Sequence, residues 1–244
     1  MNPAPRSALL LAGAFAIGCA AVAAPVDRLA DDSFAWHMLQ HLALVYPVAL
    51  LLVLARPLDL YARVAGKAAI PMLVGALRPL HALASPPVAL VIFIGVLWAT
   101  HFSPLYELAL ERPWVHAFEH LLYLAAGVIF WLPVVAPPPL RPLPYPARLL
   151  YLIVALPQGA LLGMVITSAR RPLYAHYAAQ AGSHAALLDQ SNAAAVMWIA
   201  GGLVIFTAFL TTFAFWARRE TEDAQQQQRH PERSRGAARR TMSA

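Results

Sequence analysis

Six apolar stretches dominate the chain, at residues 8–24, 36–55, 86–101, 114–135, 147–166 and 193–216. About twenty apolar residues is the length that crosses a bilayer as a helix, and lipid offers a spanning backbone no hydrogen-bond partners beyond its own. This constraint predicts an all-α fold, a polytopic membrane helical bundle with about six transmembrane helices. Charged residues make up 12% of the chain, about half the fraction of a soluble domain. The single Cys19 excludes an internal disulfide framework and a multi-cysteine metal site. No glycine-rich phosphate loop of the Walker or Rossmann kind is present. The excess of basic residues is clustered between spans, which speaks to orientation in a bilayer and not to nucleic acid.

Taken in order, residues 1–24 read as a first transmembrane helix or signal anchor. A cleaved signal peptide is the competing reading, since Arg6 precedes the run and Ala21 and Ala23 end it. Residues 25–216 form the helical membrane domain, and Pro47 predicts a kink within the second span. Residues 68–77, between Lys67 and Arg78, are too short to span and are expected at the interface. Residues 217–244, rich in Gln, Arg and Glu, are expected to be a disordered cytoplasmic tail. Arg56, Arg63, Lys67 and Arg78 after the second span, Arg141 and Arg148 after the fourth, and the arginine-rich tail assign those segments to the cytoplasm by the positive-inside rule. The loop at residues 167–192, with Arg170 and Arg171 against Asp189, dissents mildly. The expected arrangement is a multi-pass membrane protein with both termini cytoplasmic.

That topology sorts the nine histidines. His37, His41, His101, His116, His120, His176 and His184 fall at or near the outer surface, and only His81 and His230 lie inside. His37/His41 and His116/His120 are each four apart, so each pair shares one helix face. Ionisable side chains at the ends of spans are costly and usually functional. Several imidazoles converging from separate helices suit a metal ion or a haem. Met38 lies beside the first pair, and imidazole plus thioether without thiolate favours copper, above all Cu(I). The candidate ligands are therefore His37, His41, His116, His120, His101 and Met38, with Glu119 and Asp27 available to orient imidazoles from behind. Met164 and Met197 lie near the same face. His176 and His184 read more simply as interfacial residues, and the methionines as packing. Metal binding through neutral imidazoles should weaken as pH falls through about 6.5.

The segment Pro25-Val26-Asp27-Arg28-Leu29-Ala30, followed by Ser33-Phe34 and His37-Met38-Leu39-Gln40-His41, resembles the signature of the CtaG family of multispan cytochrome c oxidase assembly factors. So do His101-Phe102-Ser103-Pro104-Leu105-Tyr106, Pro113-Trp114-Val115-His116-Ala117-Phe118-Glu119-His120-Leu121 and Arg171-Pro172-Leu173-Tyr174. Asp189-Gln190, Met197-Trp198 and Gly201-Gly202 complete the pattern. The resemblance implies a membrane protein that helps mature a haem–copper oxidase by handling copper, with oxidase subunits as partners and no covalent catalysis of its own. Two departures concern topology: family members often carry an extra leading helix and a longer linker after the second span. The alternatives are a b-type haem electron carrier and a copper permease. The second would need polar residues through the full depth of the membrane, and the inner halves of these spans offer almost none.

Overall fold

The computed structural model describes residues 3–59, 82–138 and 140–241, with isolated positions between 60 and 81. The expected interfacial segment at residues 68–77 and the side chain of His81 lie outside the described residues. Ten α-helices are described: α1 (Pro3–Ala21), α2 (Ala24–Asp32), α3 (Phe34–Ala43), α4 (Ala49–Ala55), α5 (Pro86–Phe102), α6 (Pro104–Glu111), α7 (Pro113–Val135), α8 (Tyr145–Ser168), α9 (Ala175–Ala181) and α10 (Ser183–Thr241). No strand occurs among the described residues, so the fold is an all-α helical membrane bundle.

Four continuous stretches are long and apolar enough to cross a membrane: Phe34–Asp59, Pro113–Val135, Tyr145–Ser168 and Ser183–Gln226. Two further candidates are bent pairs. One is α1 with α2, bent by 47°, and the other is α5 with α6, bent by 68°. Counting each pair once gives six, the expected number. Proline opens α5, α6 and α7, where its missing N–H is one the helix would leave unpaired anyway.

The kink expected at Pro47 takes the form of a π-helical turn, Leu44–Val48, joining α3 to α4. The Ala49 N–H reaches back to the Leu44 carbonyl, and the Val45 carbonyl is taken by the indole of Trp131 at 3.3 Å. Such turns recur beside functional sites, and this one begins three residues after His41. Gly127 of α7 sits directly against it, where an added Cβ would lie 2.9 Å from Ala49 Cβ and closer still to the Val45 carbonyl. Gly163 likewise brings α8 onto α10, with an added Cβ meeting the Ala194 carbonyl at 3.0 Å. Small residues allow this close approach, which is how helices gain van der Waals contact in lipid.

Two features differ from the sequence reading. From sequence, Asp31 and Asp32 read as loop residues and as acidic start signals for the helix that follows; they instead end α2. The acid at the start of α3 comes from far along the chain: Asp189 of α10 accepts from the Phe34 N–H and, at 2.9 Å, from the Ser33 hydroxyl. A carboxylate there satisfies an otherwise unpaired donor and complements the helix dipole. The backbone also continues as helix to Thr241, where a disordered tail was expected from residue 217. Ala, Gln, Glu and Arg are strong helix formers, which favours the continuation as far as Pro231, and residues 217–226 are exposed throughout.

Candidate metal centre

The start of α3, the end of α5 and the start of α7 meet at one end of the bundle, roofed by α2, α6 and α9. The first residues of α3 project His37, Met38 and His41 inward, and all three are buried. The cap supplied by Asp189 and the bond from the Gln40 amide to the Ala21 carbonyl (3.0 Å) fix the angle at which α3 enters. Opposite it, α7 presents His116, Glu119 and His120 along one face, because residues three and four apart align on a helix.

The two pairs do converge. One ligand atom each from His37, His41 and His116 lies within 4.8 Å of the others. The Nε2 atoms of His37 and His41 are 3.1 Å apart. The ring of His116 is 4.7 Å from that of His37, and the ring of His120 is 4.1 Å from His116 and 5.4 Å from His41. His120 therefore borders the triad from its far side.

Glu119, expected behind the imidazoles, stands among them. Its Oε2 is 3.9 Å from His37 Nε2 and 3.8 Å from His41 Nε2. A triangle with sides of 3.1, 3.8 and 3.9 Å has its centre about 2.1 Å from each corner, the distance at which imidazole nitrogen and carboxylate oxygen bind a small cation. Neither oxygen of Glu119 has a hydrogen-bond partner among the described residues, nor do His41 Nδ1, His116 Nε2 or His120 Nε2. A buried carboxylate without partner or counter-ion costs several kcal/mol. A cation at that centre would give the carboxylate a partner and draw on the Nε2 lone pairs of His37 and His41, so this donor set fits a metal ion.

The surrounding groups settle which nitrogen of His37 faces inward. The Tyr177 hydroxyl donates to the Ala30 carbonyl at 3.0 Å and lies 3.2 Å from His37 Nδ1. With its hydrogen already committed, it accepts from Nδ1–H and leaves the lone pair of His37 on Nε2. Burial pushes the Tyr177 phenol above its ordinary range, so the group stays a neutral hydroxyl. His116 Nδ1 lies 3.7 Å from Asp27 Oδ1 at the half-open rim, close enough for an ion pair but too long for a hydrogen bond. His41 stacks on Tyr123, with ring centres 4.1 Å apart. Nitrogens 3.1 Å apart cannot stand on opposite faces of one porphyrin, whose axial ligands are about 4 Å apart; this pair does not fit haem.

The remaining candidates divide. His101 faces Met38 rather than the triad, with Nε2 3.2 Å from the thioether sulfur. Tyr106 stands between them and the cluster, its ring 4.9 Å from His37 and 5.7 Å from His101. His176 is bonded to the Asp31 carbonyl (3.2 Å) and to Gln180 (3.0 Å), away from the cluster, and His184 is exposed. Met164 is exposed, whereas Met197 packs in the core under α3. Sequence reasoning gave Glu119 a supporting place and overlooked Tyr177. The spacing His116-x-x-Glu119 held the signal for the first, since a carboxylate three residues from a histidine shares its face. Only the fold brings Tyr177 to His37.

The class defined so far is a polytopic α-helical membrane protein enclosing a partly unsatisfied nest of imidazoles and one carboxylate. The chain belongs to the family described as cytochrome c oxidase caa3 assembly factor, whose model matches residues 2–219. It is 26% identical over 240 residues to uncharacterised proteins of Mycobacterium bovis and Mycobacterium tuberculosis, and 26% identical over 234 residues to one of Mycobacterium leprae. These alignments cover 89% of this chain and 35% or 36% of the relatives, so the chain spans about a third of the length of the curated relatives it matches. No solved structure matches it.

Proposed function

We propose that this protein binds copper at His37, His41 and Glu119, with His116 and His120 as entry or exit ligands, and passes it to or from a subunit of a haem–copper cytochrome c oxidase. The observation that carries this reading is the triangle of His37 Nε2, His41 Nε2 and Glu119 Oε2, whose centre is about 2.1 Å from each atom. Family membership supports an oxidase as the recipient. The charge distribution of the connecting loops supports an inner-membrane protein with both termini cytoplasmic and the centre near the outer face.

Transfer here is ligand exchange, with no covalent bond made or broken in the protein. His37 is held in the correct tautomer by Tyr177, so its Nε2 is ready without rearrangement. His41 Nε2–H donates a hydrogen bond to His37 Nε2 in the empty state; to ligate, His41 carries its proton on Nδ1, which is buried and has no partner among the described residues. Asp27 and His116 form the rim through which the ion enters. Glu119 supplies the negative charge that lets a cation rest in a buried place.

Metal content of the purified full-length protein tests the proposal. Wild type is expected to carry copper, the double His37→Ala/His41→Ala variant none, and His184→Ala the wild-type amount. Equal content in all three, or an intense Soret band without copper, would overturn it.

A further inference from the structure

The contact between His101 and Met38 is one that neither side chain can satisfy alone. His101 Nδ1 lies 2.7 Å from the Leu97 carbonyl, which can only accept. Two hydroxyls also approach Nδ1 at 3.3 Å, those of Thr100 and Tyr123. Each has its hydrogen committed elsewhere, Thr100 to the Val96 carbonyl at 2.9 Å and Tyr123 to the Thr100 hydroxyl. The proton of the neutral ring is therefore on Nδ1, which leaves a bare lone pair on Nε2. That lone pair points at the Met38 sulfur, 3.2 Å away, and a thioether has no hydrogen to offer. Both side chains are buried, at 4% and 1% exposure, so water does not compensate them. Two lone-pair donors, one of them soft, thus face each other with nothing to share.

We propose that His101 and Met38 form a second metal position, separate from the His37–His41–Glu119 centre and selective for a soft monovalent cation, Cu(I) in the cell. It deepens the copper reading above and rests on it only for the identity of the metal. Softness separates the two positions. Nitrogen with thioether and no anion favours Cu(I) over Zn(II) and Cu(II), whereas two imidazoles with a carboxylate accept a divalent ion. Tyr106 keeps the positions apart, with its ring against both His37 and His101. Yet Met38 and His37 are consecutive on α3, so an ion exchanged between the two positions stays on one helix turn. The unbranched Met38 side chain can swing to follow it.

Silver(I) and copper are the probes, used on the full-length protein in detergent. Met38→Leu, which conserves volume, and His101→Gln are each expected to lose one equivalent of Ag(I) relative to wild type while retaining wild-type Cu(II) content. X-ray absorption at the copper edge of Cu(I)-loaded wild type should show a sulfur neighbour, replaced by selenium when the six methionines are selenomethionine. This second measurement needs no substitution, so it decides the question even if a variant fails to fold. Unchanged Ag(I) stoichiometry in both variants, or copper without a sulfur or selenium neighbour, would overturn the proposal. If the His37/His41 double variant kept its Cu(II) while Met38→Leu still lost its Ag(I), the main centre would fall and this position would stand.

Discussion

The two ends of α7 are buried alike and built differently. Toward its C-terminus, Phe130 and Trp131 pack with Val45, Ala49, Val53, Phe93, Tyr151 and Leu152, and the polar atoms there are paired. The Trp131 indole donates to Val45, and the Tyr151 hydroxyl donates to the Phe130 carbonyl at 2.9 Å. Toward its N-terminus, the same helix buries His116, Glu119 and His120 with four of their polar atoms unpartnered among the described residues. Folding alone selects for satisfied groups, and a half-satisfied polar cluster is worse than an apolar core. The aromatic end therefore holds the bundle together, and the histidine end carries the cost of unpaired groups, which the proposed cation would offset. Each substitution below should move one end without the other.

The largest effect is expected at the aromatic end. In Gly127→Val, a side chain would be forced into the π-helical turn, against Ala49 and the Val45 backbone. Overpacking of this kind costs about 1–3 kcal/mol, and here the obstruction is backbone, which cannot swing aside. Thermal unfolding in detergent should show a clearly lowered midpoint, while the folded fraction keeps its copper stoichiometry. Copper loss at an unchanged midpoint would break the division between the ends.

Glu119→Gln should act in the opposite sense. Without metal, the variant replaces a buried carboxyl group that has no partner among the described residues and should be at least as stable as wild type. With metal, it lacks the anion that offsets the cation, and affinity should fall at least tenfold, about 1.4 kcal/mol. Competition against a chelator measures the affinity, and unfolding without metal measures the stability. A variant less stable and equally tight in binding would make Glu119 a structural residue.

The fold was largely legible because lipid permits so few solutions. Apolar run length gave the spans, and Pro47 marked the place where α3 gives way to the π turn. Helical spacing put His37 with His41 and His116 with Glu119 and His120, since i and i+4 geometry is local. Long-range pairing was not legible. Nothing near residue 33 announces that Asp189 caps α3, because the partner is 156 positions away. The same holds for the separation of His101 and Met38 from the other histidines, which depends on the Tyr106 ring lying between them. Periodicity fixes which face a residue occupies, and only packing decides what it meets there.

Tyr177 offers the finest test, because it touches the centre through a single hydrogen bond. Its ring packs in the cluster with Phe34, Tyr106 and Tyr174, so Tyr177→Phe should leave the packing intact. What disappears is the hydroxyl that accepts from His37 Nδ1 and donates to Ala30. His37 can then adopt either tautomer, and part of the population presents Nε2–H to the ion in place of a lone pair. Groups that orient a ligand from behind typically change metal affinity about 10-fold to 100-fold. The low end is expected here, since α3 still aims the ring. Nitrogen-15 shifts of the His37 ring should show a mixed tautomer in the metal-free variant and a single one in wild type. Weaker binding with an unmixed tautomer would assign the Tyr177 hydroxyl to holding α2 through Ala30, and the histidine end would then depend on its roof instead of its own hydrogen bonds.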